Sequence, residues 1–228
     1  MNTSATLPRE VLASLPGFEV VRDHKVAVDT ERWNRELAAR NLPRPQQVAE
    51  KSGRIHISRL ELMELGAAEP NADSALELLI VSLAWGLGPR APRLKARLDA
   101  LAEAPAQAAH LLLTAWESVR EENPPEKTYS VLTTNRGQGR IPWLGPAFST
   151  KFLYFAHGDS ARPTHVILDE VVATNLEPYA WADPPTAGWW PETYGNYCRL
   201  MDNWAREATA ELGRDVRPDE VELAVFRG

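Results

Sequence analysis

The stretch SALELLIVSLAWGLGP at 74–89 constrains the fold more than any other part of the chain. Ala75–Trp85 is apolar on nearly every side of a helical wheel, interrupted only by Glu77 and Ser82. A helix without a polar face cannot lie on a surface, so other elements must wrap it. It falls well short of the ~20 apolar residues needed to cross a bilayer. It therefore reads as the buried centre of a globular domain. Ser74 and Glu77 have the capping-box spacing at its start, and Gly86, Gly88 and Pro89 break it.

Around this helix the chain is punctuated by caps and prolines. Asp29 or Thr30 can cap a helix to Arg40, which LPRPQ closes. Ser58-Arg-Leu-Glu61 is a second capping box, opening a helix to Gly66. A basic amphipathic helix is expected over Pro92–Ala102, and Pro105 begins one that Pro124-Pro125 ends. Further helices are expected over Thr128–Asn135, Ala147–Ala156, Glu170–Leu176, Thr193–Leu212 and Pro218–Phe226. Phe18–Val21 and Lys25–Val28 read as short extended pieces within a poorly defined segment, 1–28. The 18 prolines are spread along the chain and form no linker. The expectation is one all-α domain over 1–228.

Composition excludes several classes of function. With 44% hydrophobic residues the chain can build a core without covalent staples. The single cysteine, Cys198, rules out an intrachain disulfide, a cysteine-rich zinc site and a four-cysteine iron–sulfur cluster. Five histidines show no HExxH or HxxxH spacing, so no metal site is expected. RGQGR lacks the GK[ST] of a phosphate loop. MNTSATLPREVLASLPGF has no basic segment followed by an apolar one, so a cytoplasmic protein without a membrane partner is expected. The net charge of −6 argues against a protein that coats nucleic acid. Yet between 127 and 165 Lys127, Arg136, Arg140, Lys151 and Arg162 face Asp159 alone, a basic patch on an acidic body.

The chemistry is concentrated in IPWLGPAFSTKFLYFA, 141–156, and HVILDEVVATNL, 165–176. Trp143-Leu144-Gly145-Pro146 reads as a tight turn into a helix, whose free amides would suit a phosphate. Lys151 lies in the second turn, between Thr150 and the apolar FLYFA. Apolar neighbours and the positive end of the helix dipole both disfavour an ammonium there, which would leave a nucleophilic amine. A lysine snorkelling to the surface would carry the same local sequence. Asp169 ends the apolar run VIL and begins a helix, where aspartate is a favoured cap. A capping aspartate can still turn its second oxygen to chemistry.

These two segments resemble the helix-hairpin-helix (HhH-GPD) superfamily of DNA glycosylases. That superfamily is marked by a hydrophobic-Pro-Gly-hydrophobic-Gly hairpin, a lysine on the second helix, a Gly/Pro-rich loop and an aspartate capping the next helix. Pro142, Leu144 and Gly145 stand in the hairpin, followed by Lys151, Pro163 and Asp169. More narrowly, LGPAFSTKFLYFA is similar to bacterial 8-oxoguanine DNA glycosylase (OGG)-fold proteins, some encoded beside nucleotide-signalled antiphage systems. Two departures stand out. Aligned on the hairpin glycine, the family's lysine position holds Ala147, with Lys151 one turn later on the same face. Trp143 replaces the first hairpin glycine.

The resemblance implies two helical subdomains flanking a cleft, with the hairpin and catalytic segment at 128–176. It implies Lys151 and Asp169 as catalytic residues of a base-excision N-glycosylase with AP-lyase activity on an oxidised purine such as 8-oxoguanine. The hairpin residues Arg140, Leu144, Gly145 and Ala147 would hold the DNA backbone, often with a monovalent cation on the hairpin carbonyls. A nucleotide flipped from duplex DNA would stack among Trp143, Phe148, Tyr154 and Trp204. Two alternatives stay open. One is a non-catalytic module binding DNA or a defence-system protein, and the other an effector acting on a free modified nucleobase.

Overall fold

The computed structural model describes residues 1–49, 53–185 and 187–228. It is mostly helical, as expected, with one small two-stranded sheet among the described residues. Short helices α1 (Arg9–Ser14) and α2 (Phe18–Arg22) precede strand β1 (Lys25–Asp29), so Phe18–Val21 is helical and not extended. After α3 (Thr30–Ala38) and α4 (Gln46–Ala49), strand β2 (Arg54–Ser58) pairs antiparallel with β1, Ala27 opposite His56. Alternating Arg54-Ile55-His56-Ile57 is the pattern that the helix caps on either side obscure in the sequence.

The Ser58 capping box opens α5 (Arg59–Gly66) with both reciprocal bonds formed. The central helix α6 (Ala72–Leu87) starts three residues before its expected first residue, Ala75. Asn71 is its cap, accepting from the amides of Asp73 and Ser74 at 3.0 and 2.9 Å. Ser74 is the third-position partner, its hydroxyl taking the Asn71 amide at 3.0 Å. The pairing of Ser74 with Glu77 is therefore displaced by a better cap one turn earlier. Leu78–Trp85 is wholly buried, as its all-round apolarity requires, and Gly88 ends the helix at φ +62°.

Helices α7 (Leu94–Glu103), α8 (Pro105–Arg120), α9 (Pro125–Leu132) and α10 (Pro146–Ala156) follow. Helix α6 packs against α5, α8 and α10, which makes α10 a core helix as well. Then come α11 (Glu170–Asn175), the long α12 (Pro191–Leu212) and α13 (Pro218–Arg227). Helix α12 packs on α9 and α13. The first residues of the chain lie along it: the Trp204 indole donates to the Ala5 carbonyl at 2.7 Å. Among the described residues no helix is long and apolar enough to cross a membrane.

One non-helical segment sits inside this assembly, the extended run Val166-Ile167-Leu168. Buried backbone must find partners, and here three buried hydroxyls supply them. Tyr194 and Tyr197, both on α12, donate to the carbonyls of Val166 and Ile167 at 3.1 and 2.7 Å. Thr150 on α10 donates to the Leu168 carbonyl at 2.8 Å and accepts the Leu168 amide at 3.1 Å. Burial drives both tyrosine hydroxyls far above their ordinary pKa, so they remain donors.

The Thr150 pair is testable because valine keeps the shape and removes both bonds. Thr150→Val strands the Leu168 N–H and C=O, at a cost of about 2 kcal/mol. The thermal midpoint should fall by roughly 4–8 °C for a chain of this size, measured by circular dichroism.

Candidate active site

The Thr150–Leu168 bonds hold the next residue of each segment, Lys151 and Asp169, side by side. Lys151 Nζ lies 3.0 Å from Asp169 Oδ2. The lysine is buried, with only 6% of its surface exposed. Its aliphatic stem runs past Gly86 of α6, where an added Cβ would stand 3.0 Å from Lys151 Cδ. Glycine at this position in an otherwise apolar helix thus makes room for the stem. Asp169 caps α11 with its other oxygen, accepting the Val172 amide at 3.2 Å. Burial alone would raise the pKa of this carboxyl. The Lys151 charge and hydrogen bond, with the amides of Val172 and Val171, overcome that and hold it below its usual value.

The pair forms part of the wall of a cavity of about 690 Å³ between α7, the loop before α10, and the start of α11. The loop reverses at Trp143, whose φ of +63° is the left-handed conformation glycine adopts most readily. A left-handed residue at this point is what the hairpin reading of the sequence expects, with tryptophan standing where that reading expects glycine. Gly145 is the N-cap of α10, and no side chain caps that helix end. On the facing wall, Arg93 lies over the Trp143 ring at 5.6 Å and Arg97 over Phe148 at 4.9 Å. Neither arginine has a carboxylate partner among the described residues. Burial and the Arg93 charge together weaken the hold of Arg97 on its proton. Two cations held this close favour an anionic ligand.

Of the residues expected at the site, Lys151, Asp169, Leu144, Gly145, Ala147, Trp143 and Phe148 all line this cavity. Trp143 is half exposed at 52%, a lip more than a wall. Three of the expected residues do not line the cavity. Arg140 is exposed and ties the loop to α9, its Nε donating to the Ser130 and Thr133 carbonyls at 3.2 and 3.0 Å. Tyr154 is buried behind the site with its hydroxyl on Asp219 at 2.9 Å. Trp204 is fully buried against the N-terminal segment. Helical spacing alone cannot tell these two aromatics, which serve as core, from a base platform. Cys198 is buried too, and desolvation pushes its thiol up to about 12, which leaves it inert. Among the described residues no cluster of three His, Cys, Asp or Glu side chains could hold a metal ion.

Gly86, Arg93, Arg97 and Trp189 also line the cavity, and the sequence motif points to none of them. A glycine inside the most apolar helix is the one available signal, since such a residue usually has a packing reason.

Against known families, residues 19–226 match the model described as "OGG: Putative 8-oxoguanine DNA glycosylase OGG-like protein". The chain belongs to this OGG-like family. The match runs from α2 to the end of α13, so the Lys151–Asp169 pair lies well inside it. No curated protein and no solved structure matches the chain.

The asymmetry of the pair gives a stability prediction. Asp169→Ala removes the cap of α11 and leaves a buried ammonium unpaired. Lys151→Met leaves a carboxylate that still has its amide bond. In urea melts Asp169→Ala should lose about 1 kcal/mol more than Lys151→Met.

Proposed function

We propose that this OGG-like protein is a base-excision DNA N-glycosylase with AP-lyase activity, acting on an oxidised or modified purine through a Schiff base on Lys151. The observation that carries the reading is a buried lysine paired with a helix-capping aspartate on the wall of a cavity. An amine, a carboxylate and room for a nucleotide are the parts this reaction needs.

In this reading α9, the loop at Trp143–Gly145 and α10 serve as the helix-hairpin-helix, in a cleft between two helical subdomains. The uncapped start of α10 would hold a DNA phosphate. Arg93 and Arg97 would hold the backbone from the opposite wall. A monovalent cation at the hairpin would take the carbonyl oxygens of Trp143 and Leu144, which accept no backbone hydrogen bond among the described residues.

With a nucleotide flipped in, Lys151 gives a proton to Asp169 and its lone pair bonds to C1′. The glycosidic bond breaks, and the base leaves with the electron pair and takes up that proton. Asp169, again a carboxylate, faces the positive charge that develops on the sugar. Opening of the sugar ring forms the imine, loss of the C2′ proton expels the 3′ phosphate, and water then frees Lys151. Asp169 touches the reacting amine, so both residues are catalytic.

The second reading is a non-catalytic module, for DNA or for a protein partner in antiphage defence. It is favoured by Ala147 at the family's lysine position and by the ion pair, which occupies the amine. The two readings separate on 8-oxoguanine and abasic-site duplexes. The glycosylase reading expects strand cleavage on gels that falls by at least a hundredfold in Lys151→Gln. A chain that binds these duplexes without cleaving them would support the module. In either case Arg93→Gln/Arg97→Gln should make the slope of log affinity against log salt shallower by about 1.8, one counterion step for each phosphate that no longer meets an arginine.

A further inference from the structure

A second, smaller cavity of about 190 Å³ lies on the far side of the Lys151–Asp169 pair. Gly86, Lys151 and Asp169 line both cavities, so the pair forms part of the wall they share. The smaller cavity is lined by His24 from the α2–β1 turn, Arg59, Trp85 and Glu222. Arg59 and Glu222 are 99% buried, and Arg59 Nη1 and Nη2 bind the two carboxylate oxygens at 2.7 and 3.2 Å. That fork turns Arg59 Nε away from the carboxylate. The guanidinium is fixed further, lying over the Trp85 and Tyr154 rings at 5.4 and 5.3 Å.

Three nitrogen atoms of this lining are buried and have no hydrogen-bond partner among the described residues: Arg59 Nε, Trp85 Nε1 and His24 Nδ1. An N–H stranded in this way costs about 1–3 kcal/mol, and native structures keep few of them without a reason. Here two such groups, Arg59 Nε and Trp85 Nε1, sit on one small chamber beside the His24 ring nitrogen. The two charges at each end are already balanced, Arg59 by Glu222 and Lys151 by Asp169. His24, held by burial and by Arg59 at a pKa of about 4, is neutral near pH 7. The chamber therefore suits an uncharged ligand, unlike the outer cavity with its two free arginines.

Resting on the glycosylase reading above, we propose that this inner chamber receives the flipped base, and that His24, Arg59 and Trp85 select a base presenting carbonyl oxygens. The glycosidic bond must lie at Lys151 and Asp169, which puts sugar and phosphate on one side and base on the other. The outer cavity is wide and cationic, as the sugar–phosphate requires. The inner one is well below the roughly 300–1,000 Å³ of sites for drug-sized ligands, a size for one heterocycle. Indole and guanidinium N–H groups are donors only. A 6-carbonyl oxygen satisfies them, whereas a 6-amino group in its place would meet donor with donor. Sites built to hydrogen-bond a ligand discriminate strongly, because the wrong ligand leaves their buried polar groups unpaired.

The test compares duplexes of one sequence bearing hypoxanthine, 8-oxoguanine, adenine or a tetrahydrofuran abasic analogue, each opposite cytosine, with affinities read by fluorescence anisotropy. The affinity for each base is divided by that for the tetrahydrofuran duplex. Wild type should favour hypoxanthine and 8-oxoguanine over adenine by tenfold or more. Trp85→Phe keeps a ring and removes one donor, and should cut that preference about tenfold. His24→Phe, at a half-buried position that tolerates change, should cut it in the same direction. An unaltered preference in both variants, or tetrahydrofuran binding with no preference in wild type, overturns the chamber while leaving the glycosylase reading intact. Failure of wild type to bind every duplex overturns both.

Discussion

Thr150 and Leu168 exchange two hydrogen bonds, and the candidate site depends on that exchange. It places the second turn of a core helix in register with an extended segment that has no sheet to join. Lys151 and Asp169 follow those two residues directly, so their 3.0 Å separation is inherited from the clamp. Tyr194 and Tyr197 extend the clamp along the same segment from α12. The pair is thus held by backbone fixed on two sides, which is how a rigid scaffold keeps a reactive geometry.

Charge is distributed to match. The chain carries −6 overall, yet its interior charges come in pairs: Arg59 with Glu222, Lys151 with Asp169, Arg217 with Asp219. A buried charge without a partner is costly, and pairing makes such groups tolerable without making them strongly stabilising. Arg93 and Arg97 are the departure from that rule, held over aromatic rings at the outer cavity with no carboxylate partner among the described residues. Two such arginines on an otherwise acidic protein favour an anion at this cavity, in keeping with the DNA proposed as its substrate.

Much of this is legible in the sequence, because the strongest signals are local. All-round apolarity announces the burial of α6, and Ser58 with Glu61 announces α5. The cap at Asp169 and the lysine one turn into α10 point to the site pair. The misses share a cause, which is that they depend on partners distant in the chain. Asn71 outcompetes Ser74 as a cap only once the preceding loop is placed. The β1–β2 pair needs two segments that lie on either side of α3 and α4. Tyr154 and Trp204 have the spacing of platform aromatics, and only their bonds to Asp219 and Ala5 show them to be core. Arg59 and Glu222 are 163 positions apart, so no local pattern could join them or reveal the chamber beside them.

The chain has few lysines, Lys25, Lys51, Lys95, Lys127 and Lys151, which makes the central claim open to direct mapping. Protein incubated with an abasic-site duplex would be reduced with borohydride, digested with nuclease and protease, and read by mass spectrometry. A sugar remnant is expected on the peptide containing Lys151 and on no other. A remnant on a different lysine, or bound duplex with no adduct at all, would contradict it.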